Sequence, residues 1–373
     1  MRVLQISSAK DFGGGERHFC DLADGLSDRG VTVFVAVRPE CTWREKLDRV
    51  PEDRIVEVPL RGSADARSTF ALSRLIREQR IDIVHAHVAR DYVPAAVAVR
   101  LAGRAGLVLT RHVLFPMSRF SRFFLRNVSR VIAVSSAVET NLLATFPQEK
   151  IVEIPNGISL ERFAGARPDK DGADFRNAYG IPSDAKVVAT VGELKPLKGQ
   201  EDFVLAAAEI VKKVPEAYFL VIGKDNSRTG DFRRRLRRLS KVLGIEERCK
   251  FLDWVEDTAP LLSALDVLVS ASHSESFGLA ILEGMASGKP VVATATAGAK
   301  ELIQDRKSGL LADIKDPVSI ANAVVRVLRD EAFADSIGGE ARKRAQSGFS
   351  IEKMVGATAA LYGEIVDQAS AAR

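Results

Sequence analysis

The run His273-Ser274-Glu275-Ser276-Phe277-Gly278-Leu279-Ala280-Ile281-Leu282-Glu283 follows closely on the apolar segment Val267-Leu268-Val269-Ser270. The short apolar segment reads as a buried strand, and the residues from Gly278 to about Ser287 as a helix. Backbone N–H groups near Gly278 and Leu279, at the positive end of that helix, make an anion site. Glu275 falls in the loop before the helix, and Glu283 inside it, just over one turn from its start. Two carboxylates bracketing an anion site suit a ligand with hydroxyls at both ends and phosphate between them, such as a nucleotide sugar. Spacing alone leaves a second reading equally open, in which Glu275 is solvated and Glu283 belongs to a polar helix face.

The same alternation of strand and helix extends in both directions. Strands are predicted at Val3–Ile6, Val31–Val37, Ile81–His85, Leu107–Thr110 and Arg130–Val134, then at Lys186–Val191, Tyr218–Ile222, Cys249–Leu252, Val267–Ser270 and Val291–Thr294. Phe19, Leu22, Ala23 and Leu26 recur at i, i+3, i+4 and i+7, one apolar stripe facing a sheet. Strands of near-continuous apolar character separated by such helices predict parallel sheets covered on both faces. The alternation breaks between Phe163 and Ala185, where Gly, Pro and charge cluster before a short polar helix candidate that ends in Gly180-Ile181-Pro182. A boundary placed there gives domains at 1–165 and 166–350. The helical stretch 351–373 is expected to cross back to the first domain.

Composition narrows the function classes. The 373 residues are 46% hydrophobic and 28% charged, the balance of a folded globular protein. No apolar run reaches the roughly 18 residues of a membrane-spanning helix. The start, Met1-Arg2-Val3-Leu4-Gln5-Ile6-Ser7, reads as a strand rather than a secretory signal, so a cytoplasmic location is expected. Cys20, Cys41 and Cys249 lie far apart, which suggests neither a disulfide framework nor a CxxC metal site. A net charge of +5 is too small to argue for nucleic-acid binding, and no nucleic-acid-binding signature accompanies it. It does suit an anionic substrate or an anionic membrane surface.

Glu275-Ser-Phe-Gly-Leu-x3-Glu283, with Met285-Ala286 and Gly288-Lys289-Pro290-Val291-Val292-Ala293 after it, resembles the E-x7-E signature of the GT4 family of retaining, GT-B-fold glycosyltransferases. Other segments agree in the family's order. They are Gly13-Gly14-Gly15-Glu16-Arg17, Ile154-Pro155-Asn156-Gly157-Ile158, Val191-Gly192 with Lys198-Gly199, Phe251-Leu252-Asp253-Trp254-Val255, and Glu301-Leu302-Ile303 with Ser308-Gly309-Leu310-Leu311. The resemblance covers nearly the whole chain and is looser over the first half. Ordered motifs in matching structural context are more specific than any single one.

The resemblance implies two Rossmann-like domains facing each other across a cleft, a nucleotide diphosphate sugar held by the second and a glycan or lipid-linked acceptor by the first. It implies that Glu283 accepts hydrogen bonds from the ribose hydroxyls. Glu275 would orient the donor sugar, helped by the backbone at Phe277, Gly278 and Leu279. Lys198 would pair with the diphosphate and stabilise the leaving charge. The base would be read by backbone near Trp254 and Val255, and Gly13, Gly14 and Gly192 would let backbone approach the phosphates. The transfer is expected to need no metal and no further cofactor. Asp169-Lys170-Asp171 has the letters of a metal-binding DxD motif but lies in the polar connection rather than at a strand end.

His112 ends the apolar run Leu107-Val108-Leu109-Thr110-Arg111, where a side chain can project from a strand tip into a crevice. Family histidines at this place touch the transferred sugar, and a structural histidine capping a helix is the alternative. His85 and His87 also end a strand and alternate to one face. A zinc site there would need a third ligand, and none of suitable spacing is evident. One position departs from the family. Glu193 stands where an arginine usually follows the glycine of the phosphate loop, and a carboxylate about 4 Å from a diphosphate charge is repelled by roughly 4 kcal/mol at an effective dielectric of 20. Either Glu193 turns away and Lys195 or another cation compensates, or donor affinity is weak, which keeps open a sugar-nucleotide or glycan-binding protein with little or no turnover.

In residues 116–130, helical spacing lines up Arg119, Arg122, Arg126 and Arg130 on one stripe and Phe120, Phe123 and Phe124 on another. Such a helix can lie on anionic lipid, giving peripheral membrane contact; phenylalanines buried against a sheet are the commoner arrangement. Arg233-Arg234-Arg235-Leu236-Arg237-Arg238 reads as a solvated helix face. A nicotinamide oxidoreductase is the remaining rival. Gly13-Gly14-Gly15 does not complete G-x-G-x-x-G, since His18 occupies the last position, and no acidic residue clearly ends the second strand.

Overall fold

A computed structural model describes residues 1–117, 121–164, 168–227 and 229–371. The chain divides into two compact units, Met1–Gly157 with Ile351–Arg373, and Ile158–Ser350.

The first unit is built on seven parallel strands, β1 (Arg2–Ser7), β2 (Thr32–Val37), β3 (Ile55–Glu57), β4 (Ile83–Ala86), β5 (Gly106–Arg111), β6 (Arg130–Ala133) and β7 (Ile151–Glu153), in the order β3-β2-β1-β4-β5-β6-β7. Val3 pairs with Val33 on one side and Ile83 on the other. Central strands are buried on both faces, which is why β1, β2, β4 and β5 read as apolar runs without alternation. On the helix Gly14–Asp28, Phe19, Leu22, Ala23 and Leu26 are all buried, the stripe that their spacing predicts.

The C-terminal helix, Ile351–Ala371, returns to this unit and sets Met354, Val355, Leu361, Tyr362 and Ile365 into its core. Gly106 makes room for it, because a Cβ there would sit 2.4 Å from the Ile365 side chain.

The second unit carries six parallel strands, β8 (Lys186–Val191), β9 (Ala217–Ile222), β10 (Cys249–Leu252), β11 (Val267–Ser270), β12 (Val291–Thr294) and β13 (Leu310–Ala312), in the order β10-β9-β8-β11-β12-β13. Val188 pairs with Phe219 and with Val267. Its core runs from Phe203 and Phe219 through Val267 and Val292 to Ile320 and Val324.

Two features differ from the sequence expectation. The units divide after Gly157, whereas the boundary was placed at 165/166, a point that lies outside the described residues. The polar helix candidate ending at Gly180 exists, but it begins at Pro168, inside the cluster read as a connection, and belongs to the second unit as Pro168–Ala178. It has little apolar period because polar contacts hold it. Arg176 donates to the carbonyls of Ala264 (2.8 Å), Ser183 (3.1 Å) and Ala185 (2.9 Å) and pairs with Asp266 (3.1 Å), while Phe175 is buried. The Asp169-Lys170-Asp171 triplet therefore sits in a helix rather than at a strand tip. No described helix is long and apolar enough to cross a membrane.

Arg119 and Phe120 of the basic aromatic stripe lie outside the described residues. Around them the chain forms a four-residue helix, Ser121–Phe124, and a 3-10 turn, Leu125–Asn127. Phe123 is 57% and Phe115 64% exposed, whereas Leu125 is buried. Arg126 lies 4.7 Å from the Phe123 ring. A single amphipathic helix over 116–130 does not form.

Candidate functional site

In an open parallel sheet the strand order reverses at one point, and the loops leaving the strand ends there part to form a crevice. In the second unit that point lies between β8 and β11. The loop after β8 carries Gly192, Glu193 and Lys198, and the loop after β11 carries Ser272, Glu275, Phe277 and Gly278.

Lys198 Nζ donates to Glu275 Oε2 at 2.5 Å, and Ser272 Oγ donates to the same oxygen at 3.4 Å. Both partners are partly shielded, with side-chain exposures of 28% and 15%. Lys198 is positioned by a 3-10 turn, Pro196–Lys198, that ends at Gly199. Gly199 has φ +65°, and a Cβ on it would lie 1.9 Å from the Ala271 carbonyl oxygen, so only glycine lets the two loops pack this closely.

Gly278 precedes the helix Leu279–Ala286, and no side chain caps that end. The N–H groups of the first turn have no acceptor within the helix, which leaves donors and the positive end of the dipole at the crevice. Phe277 is buried beneath the helix Ala297–Leu302, where a Cβ at Gly298 would lie 2.6 Å from its backbone nitrogen. Gly298 N–H donates to the Glu275 carbonyl at 2.9 Å, fixing the loop from behind. Glu283 is 8% exposed and accepts a hydrogen bond from Thr258 Oγ1 at 3.0 Å. Thr258 opens the helix that follows the Trp254 and Val255 loop, and Trp254 is 40% exposed.

Glu193 forms an ion pair with Lys195 and accepts from Asn226 Nδ2 at 3.2 Å. Lys195 thus neutralises the Glu193 carboxylate in this structure. Ser272, Thr258, Gly223 and Gly298 carry no motif of their own and become visible only as neighbours. Gly223 packs so closely on Gly192 that a Cβ would lie 1.8 Å from its carbonyl oxygen.

In the first unit the order reverses between β1 and β4. Gly13 lies in extended backbone (φ −152°) before the helix Gly14–Asp28, and no side chain caps that helix either. Asp91, just past β4, accepts from the Ser8 N–H at 2.8 Å, and burial pushes its carboxyl up to about 6.

His112 follows β5 and faces two other histidines, with ring centres 4.7 Å from His18 and 5.9 Å from His87. His87 Nε2 donates to Gln5 Oε1 at 2.6 Å, and Gln5 Nε2 donates to Tyr362 Oη at 3.1 Å. The Tyr362 hydroxyl hydrogen is then left for His85 Nδ1 at 2.5 Å, and His85 Nε2 donates to Thr110 Oγ1 at 2.7 Å. His85 is thus a structural residue of a buried polar network. Burial holds all four histidines neutral, with His112 down to about 4, helped by the neighbouring Arg111, and His85 down to about 3.

The sequence model of the group 1 glycosyl transferases matches residues 171–344, and that of glycosyltransferase family 4 matches residues 12–162. The chain is 27% identical over 367 residues to the lipopolysaccharide core biosynthesis glycosyltransferase LpsE of Rhizobium meliloti, covering 96% of this chain and 97% of the relative. It is 30% identical over 310 residues to the N-acetyl-alpha-D-glucosaminyl L-malate synthase of Bacillus anthracis, covering 79% and 78%. Among solved structures, Anabaena HepE in complex with UDP and glucose matches with a TM-score of 0.88 at 25% identity, covering 98% of this chain and 100% of that one. The two parallel-sheet units are those of the GT-B architecture, and the chain belongs to the family 4, group 1 glycosyltransferases.

Proposed function

We propose that this glycosyltransferase moves a sugar from a nucleoside diphosphate to a hydroxyl of a glycan or lipid-linked acceptor, with retention at the anomeric carbon and without a metal ion. The observation that carries the reading is the Lys198–Glu275 pair beside the uncapped helix start at Gly278, at the reversal point of the second sheet. The diphosphate docks on the Lys198 ammonium and the amides at Phe277, Gly278 and Leu279, where Gly192 lets backbone approach. Glu275 then turns from Lys198 to the sugar hydroxyls, and Glu283 accepts from the ribose. Backbone at Trp254 and Val255 reads the base, and His112, neutral and able to accept or donate a hydrogen bond, meets the transferred sugar. Gly13 and Gly14, with no Cβ, allow a phosphate close to the uncapped first-unit helix start. That Anabaena HepE is solved with UDP and glucose supports a uridine nucleotide as the first donor to try.

In the reaction, the bond from the anomeric carbon to the phosphate oxygen breaks as the acceptor oxygen bonds to the same face. The acceptor proton passes to the departing phosphate oxygen. Lys198 and the amide dipoles stabilise the negative charge that develops there, the task for which preorganised donors are most effective. Glu275 orients the sugar and is not a nucleophile. The exposed Phe115 and Phe123, with Arg122 and Arg126 near them in sequence, support a second proposal, peripheral contact with anionic membrane.

The direct test is a panel of UDP-, GDP- and ADP-sugars followed by mass for free nucleotide, with and without lipid-linked acceptors and with and without EDTA. Release that survives EDTA, and a product with the donor's anomeric configuration by NMR coupling, are expected. Donor binding with neither hydrolysis nor transfer to any acceptor would overturn the proposal.

A further inference from the structure

His18, His87 and His112 come from the first helix and from the loops after β4 and β5, and the fold gathers them at the reversal point of the first sheet. One ring nitrogen of each lies within 4.8 Å of those of the other two. His18 and His87 are 3% and 5% exposed, and His112 is less deeply buried than either. Among the described residues, neither ring nitrogen of His18 has a partner at full hydrogen-bonding geometry, and the Asn156 side chain is the polar group that interacts with it. His87 Nδ1 likewise has no such partner. Because Gln5 Oε1 can only accept, the His87 proton sits on Nε2, and the lone pair of Nδ1 is left to face a ligand. A backing acceptor that fixes tautomer and ring orientation is the usual support of a metal-bound imidazole.

We infer that His18, His87 and His112 form a three-imidazole site for a divalent ion of the zinc class, with a coordination position left open on the His112 side. Three imidazoles are a zinc ligand set, with bonds of about 2.0 Å that bring the nitrogens to about 3.3 Å from one another. Small rotations about the side-chain bonds close the remaining distance. Of the two strand-end histidines considered from sequence, His87 enters this triad and His85 stays in the hydrogen-bonded core that supports it. The site shares His112 with the proposed transfer reaction; ion binding itself does not depend on that role, and only its effect on turnover rests on it. A bound ion occupies the His112 lone pair and so stops the reaction.

Cobalt(II) titration of the full chain tests this, because imidazole-bound cobalt gives visible d–d bands and thiolate ligation adds a near-ultraviolet charge-transfer band. One equivalent bound, without the thiolate band and displaced by zinc, is expected. His18→Gln and His87→Ala should each weaken binding by 100-fold or more, and Gln5→Ala by about tenfold, while His273→Gln leaves it unchanged. Circular dichroism and the melting midpoint establish that each variant is folded. No stoichiometric cobalt or zinc binding, or equal binding by wild type and a folded His18→Gln variant, would overturn the site. Binding that abolishes nucleotide release and is reversed by EDTA supports both the site and the place of His112 in the reaction. Binding that leaves release unchanged supports the site and removes His112 from the proposed mechanism.

Discussion

Lys198 Nζ and Glu275 Oε2 are 2.5 Å apart, so an ammonium and a carboxylate from loops 77 positions apart in sequence neutralise each other where the second sheet reverses. In the proposed donor site, an arriving diphosphate competes with Glu275 for that ammonium, and the displaced carboxylate turns to the sugar hydroxyls. Removing the two residues that flank this site should therefore have different kinetic signatures. Lys198→Ala should lower kcat by about 100-fold or more, because it removes charge stabilisation that matters most in the transition state. Glu283→Ala should mainly raise the donor KM, by about tenfold, because the ribose contact is made in ground and transition states alike. Initial rates against donor concentration check both, and near-wild-type turnover in the two variants would remove the site assignment.

Gly199→Ala should be among the costliest small substitutions in the second unit. The new Cβ meets the Ala271 carbonyl oxygen at 1.9 Å, and φ of +65° is strained for any residue with a Cβ. A loss of about 2 kcal/mol or more is expected in urea unfolding, with a fall in kcat because Lys198 is displaced. Unchanged stability would mean that the two loops can separate freely.

Asp91 gives a pH signature of definite sign. Its carboxyl is pushed up to about 6 by burial against an ordinary value of 3.8, so the folded chain holds this proton more tightly than the unfolded chain does. The stabilisation is fully present below about pH 3.8 and is lost as pH rises through about 6, an effect on the order of 3 kcal/mol. The buried histidines act in the opposite sense, so the comparison must be with Asp91→Asn, which keeps an acceptor for the Ser8 N–H. The difference in unfolding free energy between wild type and variant should shift in the variant's favour from pH 4 to pH 7. A difference that stays flat would show that Asp91 titrates normally.

Phe115→Asp and Phe123→Asp test the membrane contact. Both side chains are mostly exposed, so the melting midpoint should move little. Flotation with vesicles of phosphatidylglycerol and phosphatidylcholine should fall severalfold for the double variant, and added salt should weaken wild-type binding through the arginines. Equal flotation of both proteins would end the idea.

The ten predicted strands all exist, with ends shifted by a residue or two. The three that went unread, β3, β7 and β13, are three residues long and sit at sheet edges. Edge position explains this, because a strand half open to solvent needs no continuous apolar run and three residues are too few to show a period. The helix Pro168–Ala178 was legible only as a short polar candidate ending at Gly180, and its early start at Pro168 was not, since Arg176 anchors it through carbonyls that no side-chain pattern records.

Local patterning by itself determined the parallel sheets, the helix start at Gly278 and the placement of Glu275 before that helix and Glu283 inside it, since these depend on residues within a few turns of one another. Only the tertiary structure decided that Lys195 neutralises Glu193, that Lys198 meets Glu275, and that ring nitrogens of His18, His87 and His112 come within 4.8 Å of one another. Such contacts join segments whose separation along the chain carries no distance information until strand order sets which loops are neighbours.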